Sequence, residues 1–311
     1  MELNENADID TSQIDDRRGS GGGGGGIGGL PIPIGGGGIV GVIIFLVLAV
    51  AGGYFGVNTL GGDGGEQTGD NTSLQQKCSN KESALDQLDC RNTLYVNSIQ
   101  DYWEKATPQY FGREYTPAKT VFFSQGVRTA CGAADSGVGP FYCPADDQVY
   151  IDLTFYEVLA KQLDAPGQFA QPYVLAHEYG HRMQDLVGTE AKMRKAQQGA
   201  SKAEQNLLSV KLELQADCYA GTWAKAATDT KSDNGQQIFK SLTVQDINEG
   251  IDTAGKIGDD VLQKRSGNPV NPEEFTHGTA ADRQKWFSVG YKSGSPDSCD
   301  TFAPGAVSSA G

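Results

Sequence analysis

The sequence predicts an α+β fold, mostly helical with a small sheet, and two patterns carry that expectation. Short segments in the first half of the folded region run apolar or alternate apolar with polar residues, as strands do. Longer segments in the second half repeat apolar residues every three or four positions, as helices do. Strands followed by helices point to segregated layers rather than to alternating βα units. Residues 92–107 read as a helix with Tyr95, Ile99 and Trp103 along one side. Residues 120–129 and 148–153 read as strands; in the second, Val149, Ile151 and Leu153 alternate with Tyr150 and Asp152. That second strand is a candidate either for edge pairing with an extended peptide or for ordinary core sheet. Helices are expected over 154–164, 168–187, 201–228, 243–263 and 279–291. No internal repeat is present.

Composition divides the chain sharply. Residues 1–38 are acidic and then glycine-rich, with too few apolar side chains to build a core, and are expected as a disordered cytoplasmic tail. Residues 39–57 contain no charge and consist largely of Ile, Val, Leu, Phe, Ala and Gly. As a helix they would extend roughly 28 Å, about one bilayer core, which predicts a single transmembrane helix. Arg17 and Arg18 are the basic residues ahead of it and none follows before Lys77, so the positive-inside tendency puts the N-terminus in the cytoplasm and the body outside. Ala49-Val50-Ala51 resembles a leader cleavage pattern, but the preceding tail is far longer than a usual leader, which favours an uncleaved anchor. Residues 58–76 are expected as a flexible linker, 77–303 as one domain, and 304–311 as a disordered tail.

The six cysteines all lie beyond the apolar run, and an even number in an exported domain points to disulfides. The most local pairing joins Cys78 to Cys90 and Cys131 to Cys143, leaving Cys218 for Cys299. A formal charge of −14, with no basic patch interleaved with aromatic residues, argues against nucleic-acid binding.

Residues 177–181 read His-Glu-Tyr-Gly-His and contain two of the chain's three histidines. Residues four apart stand one above the other on a helix, so His177 and His181 can offer imidazole nitrogens to one metal ion. Glu178 then projects to the side, where a carboxylate can take a proton from water activated by that metal. Pro172 suits the first turn of such a helix, and Val174, Leu175, Met183 and Leu186 give it an apolar face. Catalytic zinc takes three protein ligands and keeps a fourth position for water. Glu213 and Asp217, again four apart, lie in a predicted helix whose apolar positions include Leu207, Val210, Leu214 and Trp223. One of these carboxylates can complete the metal shell, and the other can accept the free ring N–H of a ligand histidine. The polar stretch 189–204 makes the separation from His181 long and keeps Asp217 and His277 as competitors for the third position.

The chain also carries Glu213-Leu214-Gln215-Ala216-Asp217-Cys218-Tyr219-Ala220-Gly221-Thr222-Trp223, and Gly139-Pro140-Phe141-Tyr142-Cys143-Pro144 downstream of Cys131-Gly132. A further segment reads Phe275-Thr276-His277-Gly278. Together with the histidine motif, these resemble the bacterial neutral zinc metallopeptidase family of membrane-anchored proteins, over roughly residues 77–303. The resemblance implies a zincin-like metallopeptidase domain with one catalytic Zn2+. It implies His177, His181 and Glu213 as ligands, Glu178 as general base and Asp217 as the partner of a ligand histidine. His277, in a glycine-flanked loop ahead of the helix cap Thr279, is the candidate donor to the oxyanion of the reaction.

The expected function is therefore a zinc-dependent peptidase, an endopeptidase in the first instance, acting on proteins or peptides from a membrane anchor. The rival expectation is a catalytically silent zincin-fold binding or scaffold protein of the cell envelope. Hydrolysis of a non-peptide amide is a third.

Overall fold

The computed structural model describes residues 1–19, 69–81 and 83–307. Its central sheet has four strands in the order β2-β3-β7-β6: Ile14–Asp16, Thr120–Phe123, Gln148–Asp152 and Phe141–Cys143. The first three are parallel and β6 is antiparallel at one edge. Alternation sorts the side chains into two layers. Phe122, Val149 and Ile151 face the helical core, while Val121, Phe123, Phe141 and Tyr150 pack on the other side against Val127 and Ala134. Those two belong to a hairpin of β4, Gly126–Thr129, with β5, Gly132–Asp135.

The segment expected as one strand over 120–129 is thus two strands. Gln125 turns the chain with φ of 67°, and the N–H of Gly126 bonds to the carbonyl of Ser124. Strand β7 has neighbours on both sides and so has no free edge for a peptide; the edge on this side of the sheet belongs to β6.

The first nineteen residues depart most from expectation. They are not a disordered tail: β1, Glu2–Leu3, pairs with β8, Phe239–Ser241, and β2 adds to the central sheet beside β3. Ile14 is fully buried and Ala7 nearly so. The acidic residues that suggested a solvated tail are paired instead: Asp15 with Arg17, and Asp16 with Arg18, which also meets Asp89. The expected linker is likewise helical at its end, where α1, Thr72–Cys78, buries Leu74. Residues 304–307 also belong to the body, since Val307 is buried against the core. The expected transmembrane helix at 39–57 lies outside the described residues, among which no helix is long and apolar enough to cross a membrane.

Helices follow: α2, Leu88–Ala106; α3, Phe155–Lys161; α4, Ala170–Leu186; α5, Thr189–Gln197; α6, Lys202–Ala226; α7, Val244–Lys256; α8, Asp259–Arg265; and α9, Ala280–Ser293. Helix α6 opens on a capping box in which Ser201 and Glu204 satisfy each other's backbone N–H. The helix expected over 243–263 breaks at Gly258, which is extended (ψ of 144°) and so close to the next segment that a Cβ there would lie 2.3 Å from the N of Ala280. Three disulfides, Cys78–Cys90, Cys131–Cys143 and Cys218–Cys299, pair as the sequence suggested, with Cα separations of 5.4, 5.9 and 5.6 Å.

Two close helix contacts place the site. Gly180 of α4 lies so near α6 that a Cβ there would stand 2.9 Å from the Cα of Ala216. Its lack of a side chain therefore lets α4 settle onto α6. On the far side of α6, a Cβ at Gly290 of α9 would stand 1.9 Å from the carbonyl oxygen of Cys218.

Candidate metal centre

The crossing of α4 on α6 brings His177, His181 and Glu213 together, all buried, with their ligand atoms within 4.8 Å of one another. His177 Nε2 lies 3.1 Å from Glu213 Oε2, and His181 Nε2 lies 3.5 Å from Glu213 Oε1. The two imidazole rings stand perpendicular with centroids 4.8 Å apart, so both Nε2 atoms face the carboxylate. Neither Asp217 nor His277 joins this group. Asp217 sits one turn further along α6, behind the His177 ring.

Each histidine is held from behind. His177 Nδ1 lies 2.9 Å from Asp217 Oδ1, and His181 Nδ1 lies 2.9 Å from Gln184 Oε1. Asp217 is fully buried and receives three further bonds: from Tyr173 Oη at 2.6 Å, Arg283 Nε at 2.8 Å and Arg283 Nη2 at 3.0 Å. Gln184 is fixed in turn because its Nε2 donates to the carbonyl of Leu212 at 2.6 Å. Each ring thus presents Nε2 to the cleft, the orientation that metal-binding histidines acquire from such partners.

The electrostatics favour positive charge between the ligands. Burial opposes ionisation of Asp217, but Arg283 and His177 overcome it and lower its pKa to about 2. Burial also opposes a proton on His177, yet Asp217 and Glu213 raise its pKa to about 10. Glu213 is held well below the ordinary carboxylate range, burial being outweighed by the two histidines. Carboxylates that favour a proton on these rings favour a divalent cation in its place. Two imidazoles and one carboxylate are a zinc donor set that leaves a position open.

Glu178 lies beside this cluster, buried, and its Oε2 has no hydrogen-bond partner among the described residues. Burial raises its pKa above the ordinary value. His277 is also buried, and its Nε2 has no hydrogen-bond partner among the described residues. Its Nδ1 lies 3.1 Å from Asp259 Oδ1, and Asp259 Oδ2 accepts the backbone N–H groups of Thr276, His277 and Gly278. His177, Glu178, His181, Glu213, His277 and Arg283 all line one cleft. Tyr179, on another face of α4, is a core residue whose hydroxyl meets Thr120 Oγ1 and the carbonyl of Ala118.

Sequence reasoning did not find Tyr173, Gln184, Asp259 or Arg283. Tyr173 and Gln184 carry a weak signal, lying one turn before His177 and three residues after His181. Asp259 sat inside a helix expected to continue, and Arg283 resembled any surface arginine of an amphipathic helix.

The family described as "Putative neutral zinc metallopeptidase" matches residues 4–302. YpfJ of Escherichia coli (strain K12) is 40% identical over 294 residues, 94% of this chain and 96% of YpfJ. Rv2575 of Mycobacterium tuberculosis and Mb2605 of Mycobacterium bovis are each 44% identical over 218 residues, 70% of this chain and 71% of theirs. No solved structure matches the chain.

Proposed function

The chain belongs to the neutral zinc metallopeptidase family, and on that premise we propose that it is a zinc-dependent peptidase acting outside the cytoplasm, attached to a membrane. The observation that carries this reading is the placement of buried Glu178, whose Oε2 has no hydrogen-bond partner among the described residues, beside the converging His177, His181 and Glu213.

These three residues would hold the zinc, which supplies Lewis-acid polarisation of a carbonyl and acidifies a water. Glu178 is the proton carrier. Burial makes its carboxylate more basic than usual, so it accepts a proton from the attacking water and returns it to the departing amine. His277 lines the same cleft, its Nε2 without a hydrogen-bond partner among the described residues while Asp259 fixes its ring, an arrangement suited to donating a hydrogen bond to the carbonyl oxygen as negative charge develops there. Asp217, locked by Arg283 and Tyr173, keeps the His177 ring from rotating. Arg283 is engaged by Asp217 and is not available to anchor a substrate's terminal carboxylate, which favours cleavage at internal bonds. Three disulfides support an oxidising compartment, and the apolar run 39–57 supports membrane attachment.

The test is Glu178→Gln in the zinc-loaded protein. Zinc content should be unchanged and peptide hydrolysis should fall by roughly 10²–10⁴-fold, the usual contribution of a positioned proton carrier. Retained activity would remove Glu178 as the base. A wild-type protein that holds zinc and cleaves nothing in a broad peptide library would favour the silent scaffold.

A further inference from the structure

We propose that the cleft beside the candidate metal cluster selects a bulky apolar side chain next to the bond that is cut, an inference that rests on the peptidase reading above. The wall of the cleft is built by Val138, Pro140, Phe155, Leu163, Val174 and Ile257. These come from separate parts of the chain: the turn ahead of β6, the start of α3, the turn after α3, the helix α4 and the end of α7. Val174 lies three residues ahead of His177 on the same helix, so the apolar wall adjoins the ligands directly.

The charged groups lining the same cleft are already engaged or assigned. Arg283 is held by Asp217, and His177, His181 and Glu213 face one another. A charged substrate side chain entering against the wall would lose its hydration without finding a counter-charge, whereas an apolar one would leave water favourably. The wall is also firm. Gly139 has φ of 79°, and a Cβ there would stand 3.3 Å from the Phe155 ring, so a side chain at this position would press on the ring. Leu163 behind them is fully buried.

Strand β6 supplies the track. It is one of the sheet's two edge strands among the described residues and begins at Phe141, directly after Pro140 of the wall. An extended peptide added to that edge runs past the cleft, with alternate side chains pointing to opposite sides, so one of them turns toward the wall.

The experiment profiles cleavage of an unbiased peptide mixture by the zinc-loaded wild type and by Ile257→Arg, using mass spectrometry to read the residues flanking each cut. Ile257 is partly exposed at the end of α7, where its side chain reaches the cleft. The wild type should cut beside Leu, Ile, Met or Phe in preference to Ala by roughly 10- to 100-fold in kcat/KM, the scale set by filling an apolar pocket. Ile257→Arg should lose at least about tenfold on those peptides and gain acceptance of Asp or Glu at the same position, with zinc content unchanged. Should that variant fail to fold, Val138→Phe, which narrows the pocket, should move the preference toward smaller apolar residues. Cleavage without flanking preference, or a preference that neither variant moves, would overturn the pocket assignment while leaving the peptidase reading intact. A fully zinc-loaded protein that cuts no peptide would overturn both.

Discussion

At Asp217 a single carboxylate joins four groups: His177 Nδ1, Tyr173 Oη and two nitrogens of Arg283. Removing one member of such a buried pair leaves the other charge uncompensated and typically costs about 3–5 kcal/mol. Asp217→Ala should therefore lower thermal stability strongly. Asp217→Asn retains the side-chain size but weakens both the Arg283 pair and the grip on His177. It should reduce zinc affinity roughly 10–100-fold, measured by competition with a chromogenic chelator. An affinity equal to wild type would show that the His177 ring is held by packing alone. Asp259 makes a different prediction, because it touches His277 and none of the three ligands. Asp259→Asn should lower kcat with zinc content unchanged, and KM should move little if His277 acts on the developing oxyanion rather than on the bound substrate. At this scale the sequence was readable where function follows from helical periodicity. His177, Glu178 and His181 are set by a spacing of one turn, as are Glu213 and Asp217. Arg283 and Asp259 reach the site only through the way α9 and α8 pack, and no local spacing encodes that.

Three helices set the site, and their spacing depends on positions where no side chain intervenes. A Cβ at Gly290 would meet the carbonyl oxygen of Cys218 at 1.9 Å, and one at Gly221 would meet the carbonyl oxygen of Phe287 at 2.1 Å. Backbone atoms cannot rotate aside, so Gly290→Ala must push α9 away from α6 and draw Arg283 off Asp217. The expected loss is about 1–3 kcal/mol, seen as a lower melting temperature, together with weaker zinc binding. Lower stability with unchanged zinc affinity would show that the Arg283 pair tolerates the shift. Periodicity located α2, α4, α6 and α9, although α2, α4 and α6 are buried almost all round and α9 keeps its burial to the face of Arg283, Trp286, Phe287 and Gly290. It missed α5, whose Lys, Arg and Glu residues leave Met193 as the chief buried apolar contact and Glu190–Arg194 as an ion pair one turn apart. It also ran α7 into α8, since the break at Gly258 is required by the approach of Ala280, a residue distant in sequence.

Across the whole molecule, the docking of residues 1–19 constrains how the chain meets a membrane. The stretch just before Gly19 and the stretch starting at Gly69 lie side by side. Gly69 N–H reaches Asp15 Oδ1 at 2.6 Å, Asn71 Oδ1 accepts the N–H of Asp16 at 2.8 Å, and Asn71 Nδ2 donates to the carbonyl of Ile14 at 2.6 Å. A single helical crossing by residues 39–57 would carry its two ends to opposite faces of the bilayer, roughly 28 Å apart. Within one molecule that arrangement and the docked one exclude each other, so the docked fold requires residues 1–19 and 69–307 to share one side. In intact spheroplasts, an epitope at the N-terminus and one at the C-terminus should then respond alike to protease added outside. Digestion of the C-terminal epitope with protection of the N-terminal one would show that the membrane form leaves residues 1–19 undocked. Docking also has a pH signature. Burial opposes the ionised Asp89, but Lys77 and Arg18 overcome it and hold its pKa below the ordinary 3.8. A carboxylate depressed on folding contributes stability above its unfolded pKa and loses it as pH falls through the folded value. The melting temperature of the full chain should therefore exceed that of a chain lacking residues 1–19 at neutral pH. Because Arg18 leaves with the deleted segment, that difference should narrow as the pH is lowered past about 4.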